Sequence, residues 1–297
     1  MAELVDGRTN PARRYSTLES GGILFFPETP ILSAEDREFL LSVRQAGGGF
    51  HKNISYKPAY DKVAGFDRDS PETGERLRTI LRSYSAEITR FLDEMMPRYR
   101  AGRRMDYASF RPQEERGRDL PTKKRNDLLH VDAFPTRPTN GDLILRVFTN
   151  INPDQPRVWN ISDPFEVVAE QYSAGAGLAS IAAKSRSPLS RLGYMAATAL
   201  HAVKLPVIPR TPYDRFMLGF HDYLKYNQAY QEGCRKYHFE FPPRATWMVF
   251  TDVVPHSVLS GQFALEQTYL IARSSLETPA RAPASILERL ANTALTY

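Results

Sequence analysis

Hydrophobic and polar positions recur with two periods along the chain, and the change of period separates helices from strands. Apolar residues three and four positions apart predict a helix at 36–45 and a longer one at 73–98. The buried face of the longer helix is expected to be Leu77, Ile80, Leu81, Tyr84, Ile88, Phe91, Leu92 and Met95. Residues 1–100 are therefore predicted to form an N-terminal helical region.

Apolar runs bounded by turn residues predict strands in two separate parts of the chain. The first group is 105–111 and 143–150 (LILRVFTN), and the second is 246–251 (TWMVFT) and 264–273 (ALEQTYLIAR). Helical patterns return between them at 163–172 and 213–231, and a short helix is expected at 284–294. This order predicts one α+β domain over 1–297, with a β core at 101–162 and 241–275 and a mainly helical insertion at 163–240. Strands that pair across so long an insertion favour a double-stranded β-helix, the jelly-roll or cupin-like barrel, surrounded by helices.

Composition narrows the cellular setting. The single cysteine, Cys234, excludes an intrachain disulfide and a cysteine-based zinc or iron–sulfur site, and it suits a reducing compartment. Residues 1–16 lack the apolar run of a signal peptide, and no stretch reaches the about 18 apolar residues that cross a bilayer. We therefore expect a cytoplasmic protein, either soluble or peripheral on a membrane surface.

The net charge of +5 favours an anionic substrate or an anionic membrane face. No zinc finger, basic helical run or RNA-binding aromatic motif indicates nucleic acid. In residues 173–210, apolar side chains alternate with bases, which suits an interfacial membrane helix and equally a helical cover over the barrel. The apolar positions are Leu178, Ile181, Leu189, Leu192, Met195 and Leu200.

An H-x-D pattern at His130 and Asp132 carries the candidate chemistry. On an extended segment, residues two apart point to the same side, so one short segment can supply an imidazole and a carboxylate to one metal ion. His256 lies 124 positions further on (256 − 132 = 124), between a predicted strand and the turn at Gly261. Two histidines and one carboxylate on one face of an octahedron form the facial triad of non-haem Fe(II) oxygenases. The three open positions accept a bidentate 2-oxo acid and dioxygen.

The triad alone leaves other functions open. An isolated H-x-D is more often a loop histidine beside an acidic residue, and its context near a predicted strand changes that balance. The same ligands suit a zinc hydrolase, which would need neither oxygen nor an oxo acid. A non-catalytic cupin-like protein that binds a sugar or lipid would hold no metal at all.

Candidates for binding the distal carboxylate of 2-oxoglutarate come from both strand groups. Arg273 offers a bidentate guanidinium, 17 positions after the last ligand (273 − 256 = 17). Gln267 lies closer, at 11 (267 − 256 = 11), but carries no charge. Arg146 on LILRVFTN is the alternative, and a surface salt bridge is the competing explanation for either arginine.

A longer run of residues resembles a known family. The segment HVDAFPTRPTNGD (130–142), followed by LRVFTNIN (145–152), is similar to the Kdo hydroxylase family, where Kdo is 3-deoxy-D-manno-oct-2-ulosonic acid. KNISY (52–56) with Asp61 and RVW (157–159) also match, and the resemblance spans about 52–273. It implies an Fe(II)- and 2-oxoglutarate-dependent dioxygenase. Such an enzyme hydroxylates carbon 3 of a Kdo sugar on a Kdo-bearing lipid A precursor, in lipopolysaccharide modification at the inner membrane. No obligatory protein partner is evident from the sequence.

An acidic sugar on a phosphorylated lipid calls for basic residues in the pocket. Arg111 and Arg157 lie on or beside the strands nearest the H-x-D, and Trp159 is a candidate for stacking on the sugar, or else a core tryptophan. Asn150 and Thr149 are candidates for hydrogen bonds to 2-oxoglutarate, or else ordinary polar strand residues. The adjacent His221 and Asp222 lack the H-x-D spacing and are expected to lie on a helix surface or beside the site, rather than to bind the metal. The remaining histidines, which show no acidic partner at a useful spacing, are His51, His201 and His238.

Overall fold

The computed structural model describes residues 3–29, 31–43, 53–66 and 71–297. The helices are α1 Arg14–Glu19, α2 Ala34–Ser42, α3 Pro71–Met95, α4 Phe165–Tyr172, α5 Leu178–Ser185, α6 Pro188–Ala202, α7 Pro212–Tyr226, α8 Gln228–Gly233 and α9 Pro283–Ala291. The strands are β1 Leu4–Asp6, β2 Ile23–Phe26, β3 Ile54–Lys57, β4 Lys62–Ala64, β5 Arg103–Arg111, β6 Leu143–Asn150, β7 Arg157–Ile161, β8 Tyr237–Phe241, β9 Thr246–Phe250, β10 His256–Ser260 and β11 Ala264–Ile271. His51, Lys52 of the KNISY match and the end of the helix predicted at 36–45 lie outside the described residues.

Two sheets face each other, as in a jelly roll. Within the described residues the larger sheet has the order β1-β2-β9-β6-β11-β5-β3-β4, and the smaller has the order β10-β7-β8. All pairs are antiparallel except β1 with β2. Strands β6 and β9, on either side of the helical insertion, pair directly from Leu145 with Phe250 to Thr149 with Thr246. The pairing across the insertion that the sequence predicted is therefore present.

Side chains on β6 alternate between two environments. Leu145 and Val147 join the core beneath helix α3. Phe148, on the other face, packs with Trp159 and Trp247 between the two sheets. Arg146 lies two residues before Phe148 on the same face of β6, so it also faces the space between the two sheets.

Helix α3 buries the face that the sequence predicted. Its buried side chains include Leu77, Ile80, Leu81, Tyr84, Ile88, Leu92 and Met95, and Phe91 is partly buried against Phe26. The helix ends at Met95, three residues before the predicted end, because Pro97 disfavours helical backbone in the preceding residue. The chain continues as a 3-10 helix over Pro97–Gly102.

The prediction of a helical region at 1–100 was wrong in part, because β1 to β4 lie within it. These strands have only three or four residues each and lie at the two ends of the larger sheet. Such short runs do not develop the alternation by which a strand is recognised. The β core also begins before 241, since β8 starts at Tyr237.

Residues 163–240 are mainly helical, as expected, but the predicted helix at 213–231 is two helices. Asn227 adopts extended backbone after α7, and its side chain accepts the backbone N–H of Tyr230 at 3.1 Å to begin α8. Helix α7 itself begins with a capping box between Thr211 and Asp214. The last helix, α9, ends at Ala291 rather than 294, because Asn292 takes the left-handed conformation.

Helices α4, α5, α7 and α9 share a second hydrophobic core. Leu129 and Val131, on either side of His130, belong to this core. The helices therefore anchor the segment that carries the H-x-D. None of the helices in the described part of the chain has the length and hydropathy needed to cross a membrane.

Candidate metal centre

His130, Asp132 and His256 lie together at one end of the space between the sheets. His256 opens β10 and pairs with His130 in a short antiparallel bridge. In this bridge each backbone N–H donates to the carbonyl oxygen of the other residue, at 3.1 and 2.9 Å. The backbone N–H of Asp132 donates to the carbonyl of Thr251 at 2.9 Å. Main-chain hydrogen bonds therefore bring the three side chains to one point.

Both imidazoles turn the same nitrogen toward the centre. Nδ1 of His130 lies 2.7 Å from the carbonyl oxygen of Leu128, and Nδ1 of His256 lies 3.3 Å from that of Val254. A carbonyl oxygen only accepts, so Nδ1 carries the proton and Nε2 keeps its lone pair. The two Nε2 atoms lie 4.0 and 3.9 Å from carboxylate oxygens of Asp132, and one donor atom from each residue lies within 4.8 Å of the others.

The electrostatic environment gives these groups the charges that a metal ion requires. Burial favours the uncharged imidazoles, so the pKa of His256 falls to about 4 and that of His130 falls well below its ordinary value. Burial raises the pKa of Asp132, but Arg146 and the two histidines outweigh it and hold that pKa below its usual range. At neutral pH the centre thus presents two neutral imidazoles and one carboxylate.

The donor set fits a divalent cation. Oδ2 of Asp132 is buried and accepts no hydrogen bond from the described residues, although Nε of Arg146 lies 3.1 Å away as an ion-pair partner. A buried acceptor without a hydrogen bond is costly unless a cation approaches it. Two imidazoles and one carboxylate on one side of such a cation leave the opposite side open to small ligands.

A cavity of about 40 Å³ opens beside the three residues. Its other lining residues are Asn126, Phe148, Trp159, Val258 and three arginines, Arg111, Arg146 and Arg157. Guanidinium groups bind carboxylates bidentately and keep their charge when buried. A small anionic ligand is therefore the kind of molecule that this cavity suits.

Two acidic residues that the sequence analysis missed hold the arginines in place. Oε1 of Glu266 lies 3.2 Å from Nη1 of Arg146, and its Oε2 accepts a hydrogen bond of 3.0 Å from Nε of Arg111. Oε1 of Glu115 lies 3.4 Å from Nη2 of Arg157 and 3.9 Å from Nη1 of Arg111. Burial raises the pKa of Glu266, but the two arginines outweigh it and lower that pKa to about 2. An acidic residue within the apolar strand ALEQTYLI was the signal available, because a buried carboxylate needs a cation.

The comparison with families of known proteins matches residues 5–294 to the family described as 3-deoxy-D-manno-oct-2-ulosonic acid (Kdo) hydroxylase. The chain belongs to this family. Three solved structures of the Kdo hydroxylase KdoO, a non-heme Fe(II) α-ketoglutarate-dependent dioxygenase, are similar over nearly the whole chain. A comparison with curated proteins finds no match.

The KdoO structures cover different states of that enzyme. The complex with cobalt(II) is 34% identical with a TM-score of 0.83, over 97% of this chain and 92% of that one. The complex with α-ketoglutarate and Fe(III) is 32% identical with a TM-score of 0.82, over 100% and 98%. The apo form is 33% identical with a TM-score of 0.84, over 100% and 98%.

These findings confirm the predicted family, the jelly-roll fold class and the enzyme class, together with iron and 2-oxoglutarate (α-ketoglutarate) as the cofactor and co-substrate. The two alternatives from the sequence, a zinc hydrolase and a non-catalytic cupin-like protein, are not favoured. The roles of individual residues within the Kdo hydroxylase site rest on their placement in this chain.

Two of the predicted 2-oxoglutarate residues face away from the cavity. Gln267 accepts a hydrogen bond from Ser85 of α3 at 2.5 Å, on the opposite face of β11 from Glu266. Thr149 contacts Thr246 at 3.0 Å and Tyr84 of α3 at 3.5 Å. The period of two along a strand places both residues in the core beneath α3.

Asn150 and Arg273 are also engaged elsewhere. The side-chain amide of Asn150 donates to the carbonyls of Gln155 and Phe241, both at 3.0 Å, and so braces a loop. Arg273 follows the far end of β11 and pairs with Glu288 of α9 at 2.8 Å. It lies seven residues beyond Glu266, about 20 Å along an extended chain. Arg273 therefore forms the surface salt bridge that was the alternative to binding 2-oxoglutarate. Arg146 is the remaining candidate for binding the distal carboxylate.

The predicted substrate residues Arg111, Arg157 and Trp159 all line the cavity, and Arg157 and Trp159 are almost completely buried. Trp159 is 1% exposed and stacks on the ring of His256, with centroids 5.3 Å apart. Of the two interpretations of Trp159, a core tryptophan fits this burial better than a residue that stacks on the sugar. Arg157 is 1% exposed and donates to the carbonyl of Gly261 at 3.0 Å. Burial, followed by the charge of Arg111, lowers the pKa of Arg157 to about 10.

Helix α7 contributes neighbours rather than ligands. The ring of His221 lies edge-on to His130, with centroids 5.1 Å apart, and its Nδ1 lies 3.0 Å from Asp222, as expected of a residue beside the site. Lys225 is buried nearby, and burial lowers its pKa to about 8. The sequence analysis expected no acidic partner for His238. This was wrong, because Nε2 of His238 lies 3.6 Å from Glu240 on the exposed face of β8.

Proposed function

We propose that this chain hydroxylates carbon 3 of a Kdo sugar carried on a lipid A precursor, with Fe(II), 2-oxoglutarate and dioxygen. The observation that supports this most directly is the His130, Asp132 and His256 triad beside a cavity lined by arginines. When bound, the iron with its co-substrates supplies an oxidant that exchanges a C–H bond for a C–OH bond. 2-Oxoglutarate and dioxygen then leave as succinate and carbon dioxide, with one oxygen atom in the product.

In this proposal His130 and His256 hold iron through Nε2 and Asp132 through its carboxylate. The protons of the two imidazoles lie on Nδ1 and are directed at carbonyl oxygens. The imidazoles therefore need not lose a proton to bind the metal. Trp159, stacked on His256, fixes the plane of that ring. These contacts support ligands that are oriented before the metal arrives.

Charge balance supports a dianionic co-substrate. The cavity is lined by Arg111, Arg146 and Arg157, which carry three positive charges. Their ion-pair partners Asp132, Glu115 and Glu266 carry three negative charges, so these six groups cancel (3 − 3 = 0). Iron(II) would add two positive charges, and 2-oxoglutarate would bring two negative ones. Ions that enter such a site with matching opposite charges avoid the cost of a buried unpaired ion. We assign Arg146, between the triad and Glu266, to the distal carboxylate, and Arg111 and Arg157 to holding further anionic groups of ligand or sugar.

A Kdo sugar attached to a lipid A precursor would place the enzyme at the cytoplasmic face of the inner membrane, as a peripheral protein acting in lipopolysaccharide modification. Kdo itself carries a carboxylate, and lipid A precursors carry phosphates. The net charge of +5 is consistent with such a substrate.

The test is incubation of a Kdo-bearing lipid A precursor with the enzyme, Fe(II), 2-oxoglutarate and oxygen, followed by mass spectrometry. We expect a gain of one oxygen atom, with one succinate formed per product. Omission of oxygen or of 2-oxoglutarate should abolish the product, whereas turnover without them would indicate a hydrolase. Fragmentation that places the oxygen outside the Kdo sugar would contradict the substrate assignment.

Two variants separate metal binding from co-substrate binding. His130→Ala should lose iron and succinate production while keeping the fold, and full turnover would refute the ligand assignment. Arg146→Met should raise the KM for 2-oxoglutarate at least about tenfold, because one charged hydrogen-bonding partner is lost. Arg146→Lys should recover part of that loss. Arg273→Met is the matched control and should leave this KM unchanged.

A further inference from the structure

Helix α6 presents its apolar side chains away from the protein. Its outward residues include Leu189 (75% exposed), Leu192 (61%) and Met195 (59%), and Leu200 and Val203 extend the same surface. No residue of α6 is buried. A surface helix normally turns its apolar stripe to the core, so this helix has the inverse arrangement.

The inward face of α6 is small and polar. Its least exposed positions are Ser190, Tyr194 and Ala197, spaced as one stripe of a helix. Ser190 contacts the hydroxyl of Tyr297 at 2.7 Å, and the ring of Tyr194 lies 5.2 Å from that of Tyr297. The exposed leucines are therefore not needed to hold the helix on the protein.

Charge is segregated in the same stretch. Residues 173–210 contain five bases and no aspartate or glutamate. Four of these bases are exposed on or beside α6, namely Lys184, Arg186, Arg191 and Lys204. Basic residues around an exposed apolar stripe match the interface of an anionic bilayer, where the bases meet lipid headgroups and the leucines enter the acyl region.

We propose that α6 with its flanking residues 184–205 is a docking surface for an anionic lipid bilayer. A second copy of the chain would fit this surface poorly, because it would bring an equal excess of positive charge against it. An anionic membrane offers both an opposite charge and an apolar layer.

The docking surface is connected to the candidate site. The hydroxyl of Tyr194 donates to Asn140 at 3.4 Å, and Arg210 donates to the carbonyl oxygen of Pro135. Both acceptors belong to the segment HVDAFPTRPTNGD, which begins with His130 and Asp132. A bilayer bound at α6 would therefore lie beside the loop that leaves the metal centre. This part of the inference rests on the proposed function, in which the sugar is carried on a lipid.

The test is co-sedimentation of the full-length, iron-loaded enzyme with phosphatidylcholine vesicles, with and without phosphatidylglycerol. The vesicles contain no Kdo, so binding is independent of catalysis. We expect binding to the anionic vesicles that weakens at high salt. The triple variant Leu189→Ser/Leu192→Ser/Met195→Ser should lower the partition coefficient about tenfold or more, because three exposed apolar side chains are lost.

A second variant tests the charge, and a third serves as control. Lys184→Glu/Arg191→Glu should also lower binding to anionic vesicles and abolish its salt dependence. Val167→Ser/Tyr226→Ser removes two exposed apolar side chains outside the docking surface and should leave binding unchanged. Equal loss in all three variants, or no binding by the wild type, would overturn the proposal.

Oligomeric state and activity on a soluble substrate separate the remaining outcomes. A dimer that the triple serine variant dissociates would make a second copy the occupant and would also overturn the proposal. Succinate production with a deacylated Kdo saccharide should be equal in wild type and variants. Activity on that saccharide without vesicle binding refutes only the docking surface, whereas vesicle binding without such activity refutes only the proposed reaction.

Discussion

Glu266→Gln tests whether the arginines of the cavity depend on a buried carboxylate. Glu266 is 4% exposed and contacts both Arg111 and Arg146. Its pKa falls from the ordinary 4.5 to about 2 in the folded protein, which corresponds to about 3 kcal/mol of stability at neutral pH. Removing one partner of a buried ion pair costs about 3–5 kcal/mol in other proteins. The two approaches agree, so we expect a loss of about 3 kcal/mol.

The pH dependence has a definite sign. A carboxylate with a lowered pKa stabilises the fold fully above its unfolded pKa, near 4.5, and loses this contribution as the pH falls toward about 2. The glutamine variant has no such proton to gain. The difference in stability between the two proteins should therefore be constant from pH 8 to about 5 and should narrow below that.

The assay is urea unfolding followed by circular dichroism, on protein stripped of metal by a chelator so that bound iron does not contribute. The control is Glu240→Gln, whose side chain is 62% exposed beside His238, and we expect it to change the free energy of unfolding by less than about 0.5 kcal/mol. A Glu266→Gln loss as small as that of the control would refute the reasoning. The cavity arginines would then not need this counterion.

Two further predictions concern the imidazole of His256. Trp159→Ala should lower the free energy of unfolding by about 3–5 kcal/mol and weaken metal binding, because it empties a core position and frees the His256 ring. Trp159→Phe should restore most of the metal affinity, as measured by cobalt(II) titration. Equal affinity in the wild type and both variants would argue against a positioning role for Trp159. The affinity for cobalt(II) should fall as the pH drops toward 4, because the proton that His256 gains near that pKa competes with the metal. A fall centred near pH 6.5 would indicate an ordinary, solvated imidazole.

The sequence predicted the centre better than its surroundings. The H-x-D geometry is local, because extended backbone alone aligns His130 and Asp132. His256 was placed beside them from its position between a predicted strand and the turn at Gly261. Long helices were also predictable, since the apolar period of α3 runs over many turns.

Strand faces were the main source of error at the site. Spacing from His256 drew attention to Gln267 and Arg273, but spacing does not say which side of β11 a residue faces. The register of β11 against β6 turns Glu266 toward the arginines and Gln267 toward Ser85. The alternation within ALEQTYLIAR held this information, provided that one face could be fixed independently. The single-domain boundary at 1–297 stays a prediction.

The reciprocal bridge between His130 and His256 bears on how iron enters and leaves. Folding closes a loop of 126 residues (256 − 130 = 126) through main-chain hydrogen bonds and the core at Val131. The free energy of metal binding therefore does not have to offset the conformational entropy that is lost when this loop closes. In zinc fingers, by contrast, metal binding and folding are one event. Here a chelator should leave a folded, metal-free protein that can bind whichever divalent ion is abundant. The supply of iron in the cell, more than the folding of the chain, then decides how much of the enzyme is active.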